Sequence, residues 1–329
     1  MEHSRNDFVY EVARMYYEQN ATMDSIAQQL DVSRSTISRL LSEARDSGVV
    51  QITLERRDED SSKLERAFSA HFGVDAHIVT GDAVSDVHRG TQIASVAARL
   101  LTNWMRPGSV LAVSAGSTIQ AVANSLPSRH YPGSSVVQLH GSIGPLRNVA
   151  HGSSQAVLGT VAAAFGAEEH PFPVPAFFDF ATTRRSMWHE RSIQRVRAMQ
   201  SHADIALFGA GSFRGPDRSW PYTSGLLSDE DLDELRREHV VGDVCTVMMR
   251  PDGSSHNIAV NHRTSGASRR ELAHVPRRLL VAFGASKALP VLAALRAGIA
   301  TDIVIDDVLA HSITTMFPSR KSTRRLDSP

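Results

Sequence analysis

The chain of 329 residues balances 35 Lys and Arg against 35 Asp and Glu, and 42% of its residues are apolar. This is the composition of a globular protein, and a length above ~250 residues indicates more than one domain. Zero net charge excludes a protein that binds nucleic acid through a global basic excess, and the single cysteine, Cys245, excludes an internal disulfide framework.

The first residues of the sequence do not predict a targeting signal. Residues 1–7 lack the basic and then apolar layout of a signal peptide. No run approaches the ~18 apolar residues that a membrane span needs. A single cysteine also suits a reducing compartment, and Cys245 lies in an apolar run that predicts a buried strand thiol. We therefore expect a cytoplasmic protein without a membrane partner.

The first predicted elements form a helical module that ends in a short strand. Residues 7–46 have helical patterning, and residues 48–54 are predicted to form a strand, the wing of the module. Within 23–41, two helices packed at a steep angle need an apolar inner face and a small residue, such as Ala27, where they approach. The inner face can be supplied by Ile26, Leu30, Val32, Ile37 and Leu40.

The second helix of this pair presents a polar outer face. Ser33 is a good N-cap, and the residues behind it point outward at the end that a recognition helix inserts into the major groove of DNA. Arginine can pair with guanine, while serine and threonine contact phosphates or base edges. Asp31 occupies the turn between the two helices, where glycine would adopt a positive φ more easily. The alternative to a DNA-binding module is an ordinary helical hairpin in a larger fold. The predicted DNA-binding residues are Ser33, Arg34, Ser35, Thr36, Ser38 and Arg39.

A charged stretch without apolar residues, 55–62, separates this module from the rest of the chain. After a predicted helix at 61–72, short apolar runs alternate with helical stretches, which predicts a doubly wound, mostly parallel α/β domain. The predicted domains are 1–54 (helix-turn-helix), 55–62 (linker), 63–316 (α/β) and 317–329 (a basic, disordered tail). The predicted strands are 77–80, 110–113, 135–139, 205–208, 244–248, 279–283 and 303–305, and the predicted helices between them are 88–104, 117–125, 155–165, 190–200, 228–238 and 287–297.

The segment RSTISRLLSEARDSGVVQI (34–52) resembles the helix-turn-helix and wing of the SorC/DeoR-type sugar-responsive regulators. The resemblance continues in order through VSAGST (113–118), VQLHG (137–141), ADIALFGAGS (203–212), VGDVC (241–245), AFGASKA (282–288) and DDVLA (306–310).

This resemblance implies a DNA-binding regulator whose large domain has the fold of sugar-phosphate isomerases and glucosamine-phosphate deaminases. It also implies a sugar or sugar-phosphate effector at the carboxyl edge of the sheet, double-stranded operator DNA as a partner, and a homodimer or homotetramer. The chain departs from the family pattern beside the expected pocket: glycine is more common at Val240 and Phe283, and a larger residue at Ala115.

The loops at the strand ends favour an anionic ligand on physical grounds alone. Gly116, Ser117 and Thr118 open a helix whose N-terminal N–H groups attract a phosphate, although a helix start without a ligand is the plain alternative. Lys287 begins another helix, where a cation opposes the dipole unless it meets an anion; a surface lysine is the alternative. Asp243 could accept hydrogen bonds from sugar hydroxyls or be a turn aspartate, and the glycines expected to allow close backbone approach at strand ends are Gly141, Gly209 and Gly211.

The residue patterns predict no metal site, no cofactor and no enzyme. The histidines include no HExxH motif, and His140 and His151 are candidates only for the pocket lining, as residues 173–178 are for its wall. One rival is an isomerase- or deaminase-like enzyme with a DNA-binding module, for which Asp243 and Asp306 are candidate bases without evident partners. A ligand-free architectural DNA binder is the other rival.

Overall fold

The computed structural model describes residues 2–19, 21–47, 49–50, 59–80, 86–142, 154–215 and 218–317. It divides into two compact units, Met1–Arg56 and Arg57–Pro329. None of the helices in these described ranges combines the length and the apolar character needed to span a bilayer.

The described residues of the first unit form three helices: α1 (Glu2–Tyr17), α2 (Met23–Gln29) and α3 (Arg34–Asp46). The helical stretch predicted at 7–46 is thus interrupted twice. Thr22 and Ser33 end these breaks, because each hydroxyl accepts a backbone N–H and caps the next helix. Asp31 takes the left-handed conformation (φ 52°) that makes glycine easier at this turn. The core consists of Val9, Val12, Ala13, Met15, Ile26, Ala27, Ile37, Leu40, Leu41 and Ala44.

The predicted wing and linker lie largely outside the described residues. Only residues 49–50 of the wing at 48–54 are described, where the Val50 N–H bonds the Ala44 carbonyl at the end of α3. Residues 55–58 are not described, and α4 (Glu59–Phe72) begins two residues before the predicted helix start. The last four residues of the predicted linker, 59–62, are therefore helical. Of the predicted disordered tail at 317–329, only Phe317 is described, and its ring packs against Phe68, His71 and Phe72 of α4, so that the prediction is wrong at this position. Residues 318–329 lie outside the described residues.

Within the described ranges, the strands are β1 (Asp75–Val79), β2 (Val110–Val113), β3 (Ser135–Gln138), β4 (Glu168–His170), β5 (Ile205–Phe208), β6 (Gly211–Ser212), β7 (Gly242–Val244), β8 (Val247–Met249), β9 (Arg277–Ala282) and β10 (Asp302–Asp306). Seven of these strands form the parallel sheet on which the second unit is built, in the order β1-β10-β9-β5-β2-β3-β4.

Alternate residues of these strands enter two different cores. Ala206 and Phe208 of β5 belong to one core, and Ile205 and Leu207 belong to the other. Since side chains alternate across a strand, both faces of the sheet are buried, as its continuous apolar runs predict. The predicted doubly wound α/β fold is confirmed. The remaining helices are α5 (Asp86–Trp104), α6 (Ser117–Asn124), α7 (Ser154–Phe165), α8 (Ala181–Met187), α9 (Arg191–Ser201), α10 (Asp229–Arg237), α11 (Arg269–Leu272), α12 (Ala288–Arg296) and α13 (Asp307–Thr314).

The apolar run 244–248 was predicted to be one strand, and this prediction is wrong: the run forms the tip of a hairpin. β7 and β8 pair in antiparallel fashion, and β6 joins them in a small three-stranded sheet. Cys245 and Thr246 form the turn with positive φ angles of 49° and 68°. A two-residue hairpin turn of this kind needs both residues in the left-handed region. Cys245 is buried, as predicted, but it lies in this turn.

Candidate functional site

The outer surface of α3 is the first candidate site. Ile37, Leu40 and Leu41 are buried on its inner side. Ser33 Oγ accepts the Thr36 N–H at 3.1 Å and therefore caps the helix. The predicted residues that lie exposed at the start of α3 or on its outward side are Arg34, Ser35, Ser38 and Arg39.

Some of the predicted contact groups also have partners within the unit itself. Ser33 Oγ lies 2.7 Å from Ser35 Oγ and 2.8 Å from Thr36 Oγ1. Arg34 Nε lies 3.5 Å from Asp24 Oδ1 in an exposed ion pair. Ser33 and half-buried Thr36 thus have a local structural role. Sequence reasoning missed Ser42, which follows Ser35 by seven residues and Ser38 by four, so that it shares their side of the helix.

The second candidate site is a cavity of about 500 Å³ between the carboxyl edge of the large sheet and the small sheet. Seven of the eight predicted effector residues line it: Gly116, Ser117, Thr118, Gly209, Gly211, Asp243 and Lys287. The lining also includes Asp86, Ser114, Ala115, Ile119, His140, Ala210, Arg218, Ser219, Trp220, Pro221, Cys245, Thr246, Val281, Ala282, Phe283 and Ser286.

The eighth predicted residue, Gly141, does not line the cavity. A Cβ atom there would lie 2.2 Å from the Val174 carbonyl oxygen, so the close approach that requires glycine is to the chain itself. The predicted wall at 173–178 is also absent from the lining, and its Ala176 and Phe177 pack in the core beside the small sheet. His151 lies outside the described residues.

Helix α6 points an open N-terminus into the cavity. Its N-cap, Gly116, has a φ of 144°, and no side chain caps the helix. A Cβ atom at Gly116 would meet nothing within 4 Å, so there is open space in front of the turn. Ser117 and Thr118 add hydroxyl groups at the same place. An uncapped helix start beside open space is a physical site for an anion.

Two cations border the same cavity. Lys287 Nζ donates to Ser219 Oγ at 3.0 Å, and Lys287 occupies the N-cap position of α12. Arg218 was not foreseen from the sequence; its guanidinium donates to the Tyr222 carbonyl at 3.3 Å. Its Nε is buried and has no hydrogen-bond partner within the described parts of the chain.

The carboxyl group of Asp243 is buried in the cavity wall with one oxygen unused. Oδ2 accepts the Thr246 N–H at 3.1 Å. Oδ1 is buried without a hydrogen-bond partner among the residues that the structure describes. Burial raises the pKa of Asp243 to about 6, although the nearby Tyr222 hydroxyl, the Thr246 N–H and the Lys287 ammonium favour its charged form. Only glycine fits at position 211, because a Cβ atom there would lie 2.0 Å from Asp243 Oδ1.

Asp306, the other candidate base, is fully occupied outside the cavity lining. Oδ1 accepts the N–H groups of Gly284 and Leu309 at 3.0 and 3.3 Å. Oδ2 accepts Arg89 at 3.0 Å. Asp306 therefore caps α13 and fixes the turn that leads to Lys287.

One group of possible metal ligands lies elsewhere. Asp75, His77 and Asp302 bring ligand atoms within 4.8 Å of one another at the start of β1 and β10. The Arg277 guanidinium donates to Asp302 at 3.3 Å and supplies the positive charge that a metal would otherwise bring. The expectation of no metal site stays a prediction.

The chain is similar to known proteins over most of its length. Residues 56–315 match the family described as “Putative sugar-binding domain”, and residues 11–47 match sigma-70 region 4. The deoxyribonucleoside regulator of Bacillus subtilis (strain 168) is 30% identical over 317 residues, which cover 95% of this chain and 99% of the relative.

Two solved structures resemble it as well. A domain of a possible sugar-binding transcriptional regulator from Arthrobacter aurescens TC1 has 35% identity and a TM-score of 0.69, covering 79% of this chain and 99% of its own. The full-length sorbitol operon regulator SorC from Klebsiella pneumoniae has 24% identity and a TM-score of 0.77, covering 93% and 98%. The second likeness is one of fold.

Proposed function

Since the chain belongs to the SorC/DeoR-type family of transcriptional regulators with a sugar-binding domain, we propose that it regulates a carbohydrate-utilisation operon. Its helix-turn-helix binds operator DNA, and a phosphorylated sugar in the cavity modulates that binding. Two relatives are named for a deoxyribonucleoside and for a sorbitol operon, which supports an effector among small carbohydrate derivatives.

The observation that carries the proposal is that one cavity holds both an anion site and a hydrogen-bond acceptor. The open N-terminus of α6 and the cations of Lys287 and Arg218 favour a phosphate. Asp243, which is near enough to Lys287 for the ammonium to favour its charged form, offers a buried oxygen that lacks a donor among the described residues. A hydroxyl-bearing phosphate ester supplies both the charge and the donor.

The DNA contact is assigned to α3. Arg39, Ser35 and Ser38 point outward near the helix start, where a recognition helix meets base edges. Three arginines on one short helix give limited phosphate neutralisation, so that paired recognition helices in a homodimer or homotetramer are expected to provide the affinity. We assign residues 1–54 to DNA binding, and 63–316 to effector binding and oligomerisation.

The regulatory step is a shift between two arrangements of the effector domains. A ligand that binds one arrangement more tightly changes the spacing of the paired recognition helices. Such coupling is worth ~1–3 kcal/mol.

Differential scanning fluorimetry against sugars, polyols and their phosphates tests the proposal. A ligand at about a hundred times its Kd adds about 2.7 kcal/mol of stability. One phosphorylated compound should raise Tm, and Lys287→Ala combined with Thr118→Ala should remove the rise. Lys63→Ala is the matched control, because Lys63 is an exposed lysine paired with Asp60 on α4. Stabilisation by unphosphorylated sugars alone would overturn the phosphate site. Turnover of the stabilising compound would overturn the assignment as a regulator.

A further inference from the structure

A buried histidine holds the backbone immediately before the Gly116 turn. The Ala115 N–H donates to His140 Nε2 at 3.0 Å. His140 is only 2% exposed, and its ring lies 5.7 Å from the ring of Trp220 in the cavity wall. The Ala115 amide thus finds its partner behind the turn, while the open start of α6 faces the cavity.

The second ring nitrogen fixes the tautomer. His140 Nδ1 lies 2.9 Å from the Gly141 carbonyl oxygen, which can only accept a hydrogen bond. Nδ1 therefore carries the proton, and Nε2 is free to accept from Ala115. Burial lowers the pKa of His140, although the bond to the Gly141 carbonyl acts to raise it, and a lowered pKa favours the neutral ring. A charged ring would lose the acceptor that Ala115 needs.

His140 is itself anchored from the far side. The Gly141 N–H donates to Ser265 Oγ at 2.9 Å, and Ser265 Oγ donates to the Ala176 carbonyl at 3.0 Å. The Val174 carbonyl closes over Gly141 so tightly that no Cβ fits. The Gly141 backbone is thus held by a hydrogen bond and by close contact with the Val174 carbonyl, next to the residue that carries the imidazole.

Thr264, the residue before Ser265, supports a second part of the cavity wall. Thr264 Oγ1 is hydrogen-bonded to Thr246 Oγ1, and the Thr246 N–H binds Asp243. Thr264 and Ser265 are 2% and 3% exposed. One buried segment therefore underlies both the α6 turn, through His140, and the Asp243 carboxyl, through Thr246.

We propose that His140 is a positioning residue for the ligand's anionic group: its Nε2 orients the Ala115–Gly116 backbone so that the first N–H groups of α6 face the anion. The inference rests on the proposed function, because it concerns the same cavity. Without the acceptor, the Ala115 N–H must find another partner, and the turn moves. If the Ala115 N–H loses its acceptor and finds no replacement, the affinity for the anionic ligand should fall about tenfold.

The test compares two amide replacements that remove the ring equally. His140→Gln places an acceptor near the position of Nε2 and retains the bond to Ala115. His140→Asn places a donor near the position of Nδ1 and retains only the bond to Gly141. Calorimetric titration with inorganic phosphate at constant ionic strength should give the glutamine variant an affinity within about threefold of the original chain, and the asparagine variant an affinity about tenfold lower.

The possible outcomes separate this inference from the proposed function. Equal affinities for the two variants overturn the role of His140 and leave the phosphate site intact. Absence of phosphate binding by the unsubstituted chain overturns the phosphate site, and this inference with it. If a variant does not fold, long-range ¹H–¹⁵N spectra of the original chain decide: a His140 ring protonated on Nδ1 across neutral pH supports the assignment, and one protonated on Nε2 refutes it.

Discussion

Replacement of Asp243 by asparagine is predicted to stabilise the unliganded protein and to weaken ligand binding. The pKa of the buried carboxyl is about 6, above its ordinary value of 3.8. A raised folded-state pKa means that the stabilising contribution is complete below the unfolded pKa and is lost as pH rises through the folded pKa. The difference corresponds to a loss on the order of 2–3 kcal/mol at neutral pH. Asparagine does not ionise and avoids this loss.

Urea unfolding of both proteins at about pH 4 and about pH 7.5 measures the effect. The variant should be more stable by about 2–3 kcal/mol at the higher pH, and most of that gain should disappear at the lower pH. Its affinity for the stabilising sugar phosphate should fall at least ~10-fold, since the oxygen that accepts a sugar hydroxyl is replaced. A stability difference that does not change with pH would refute the picture of Asp243 as a buried carboxylate with one oxygen that lacks a donor among the described residues.

Asp231→Asn is the matched control with the opposite sign. Burial acts to raise the pKa of Asp231, but its hydrogen bonds to Arg263 and Ser228 outweigh burial and lower the pKa. A lowered folded-state pKa gives stability that is present above the unfolded pKa and lost as pH falls. This variant should therefore be less stable than the original chain at neutral pH, and the deficit should shrink in acid.

Three further predictions concern the helix start, the DNA surface and a glycine. Ser33→Ala should lower the stability of the N-terminal unit by about 1 kcal/mol in thermal denaturation, because α3 loses its cap; no loss would show that the cap is dispensable. Arg39→Ala should cost about 1–3 kcal/mol of operator affinity in an anisotropy titration, while Arg185→Ala, which removes an exposed arginine from α8, should not. Gly141→Ala should unfold the chain or destabilise it by about 3 kcal/mol in urea unfolding. The control is Gly159→Ala inside α7, where a Cβ atom meets only ordinary contacts at 3.5 Å. This control should stabilise the chain by up to about 1 kcal/mol.

The parallel sheet could be predicted because its signals are local. β2 and β5 have the bounds that their apolar runs predict. Gly116, Thr118 and Lys287 follow strand ends, and the carboxyl ends of parallel strands share one edge, so their convergence on the cavity was also predictable. β4 was missed because Glu168–His170 carries no apolar residue.

The features missed by the sequence depend on contacts between distant residues. The run 244–248 reads as one strand, yet Asp243 and Thr264 hold Thr246 in a positive-φ turn. Arg218 and Trp220 reach the cavity from a segment in which the three-residue 3-10 helix Trp220–Tyr222 is too short to produce a periodic pattern. Gly141 was predicted to contact the ligand because a glycine at a strand end allows any group to approach closely. The sequence does not distinguish a ligand from the chain's own Val174 carbonyl, which is the group that approaches.

The affinity of α3 for DNA is predicted to depend on the ligand bound in the cavity. The most direct measurement is an anisotropy titration of the full chain on DNA selected by the protein from a random pool, with and without the sugar phosphate that raises its Tm. A change in DNA affinity of about 5- to 150-fold is predicted, and Lys287→Ala should shift the response to higher ligand concentrations. Identical DNA affinity at ligand concentrations shown to saturate the protein would contradict the account.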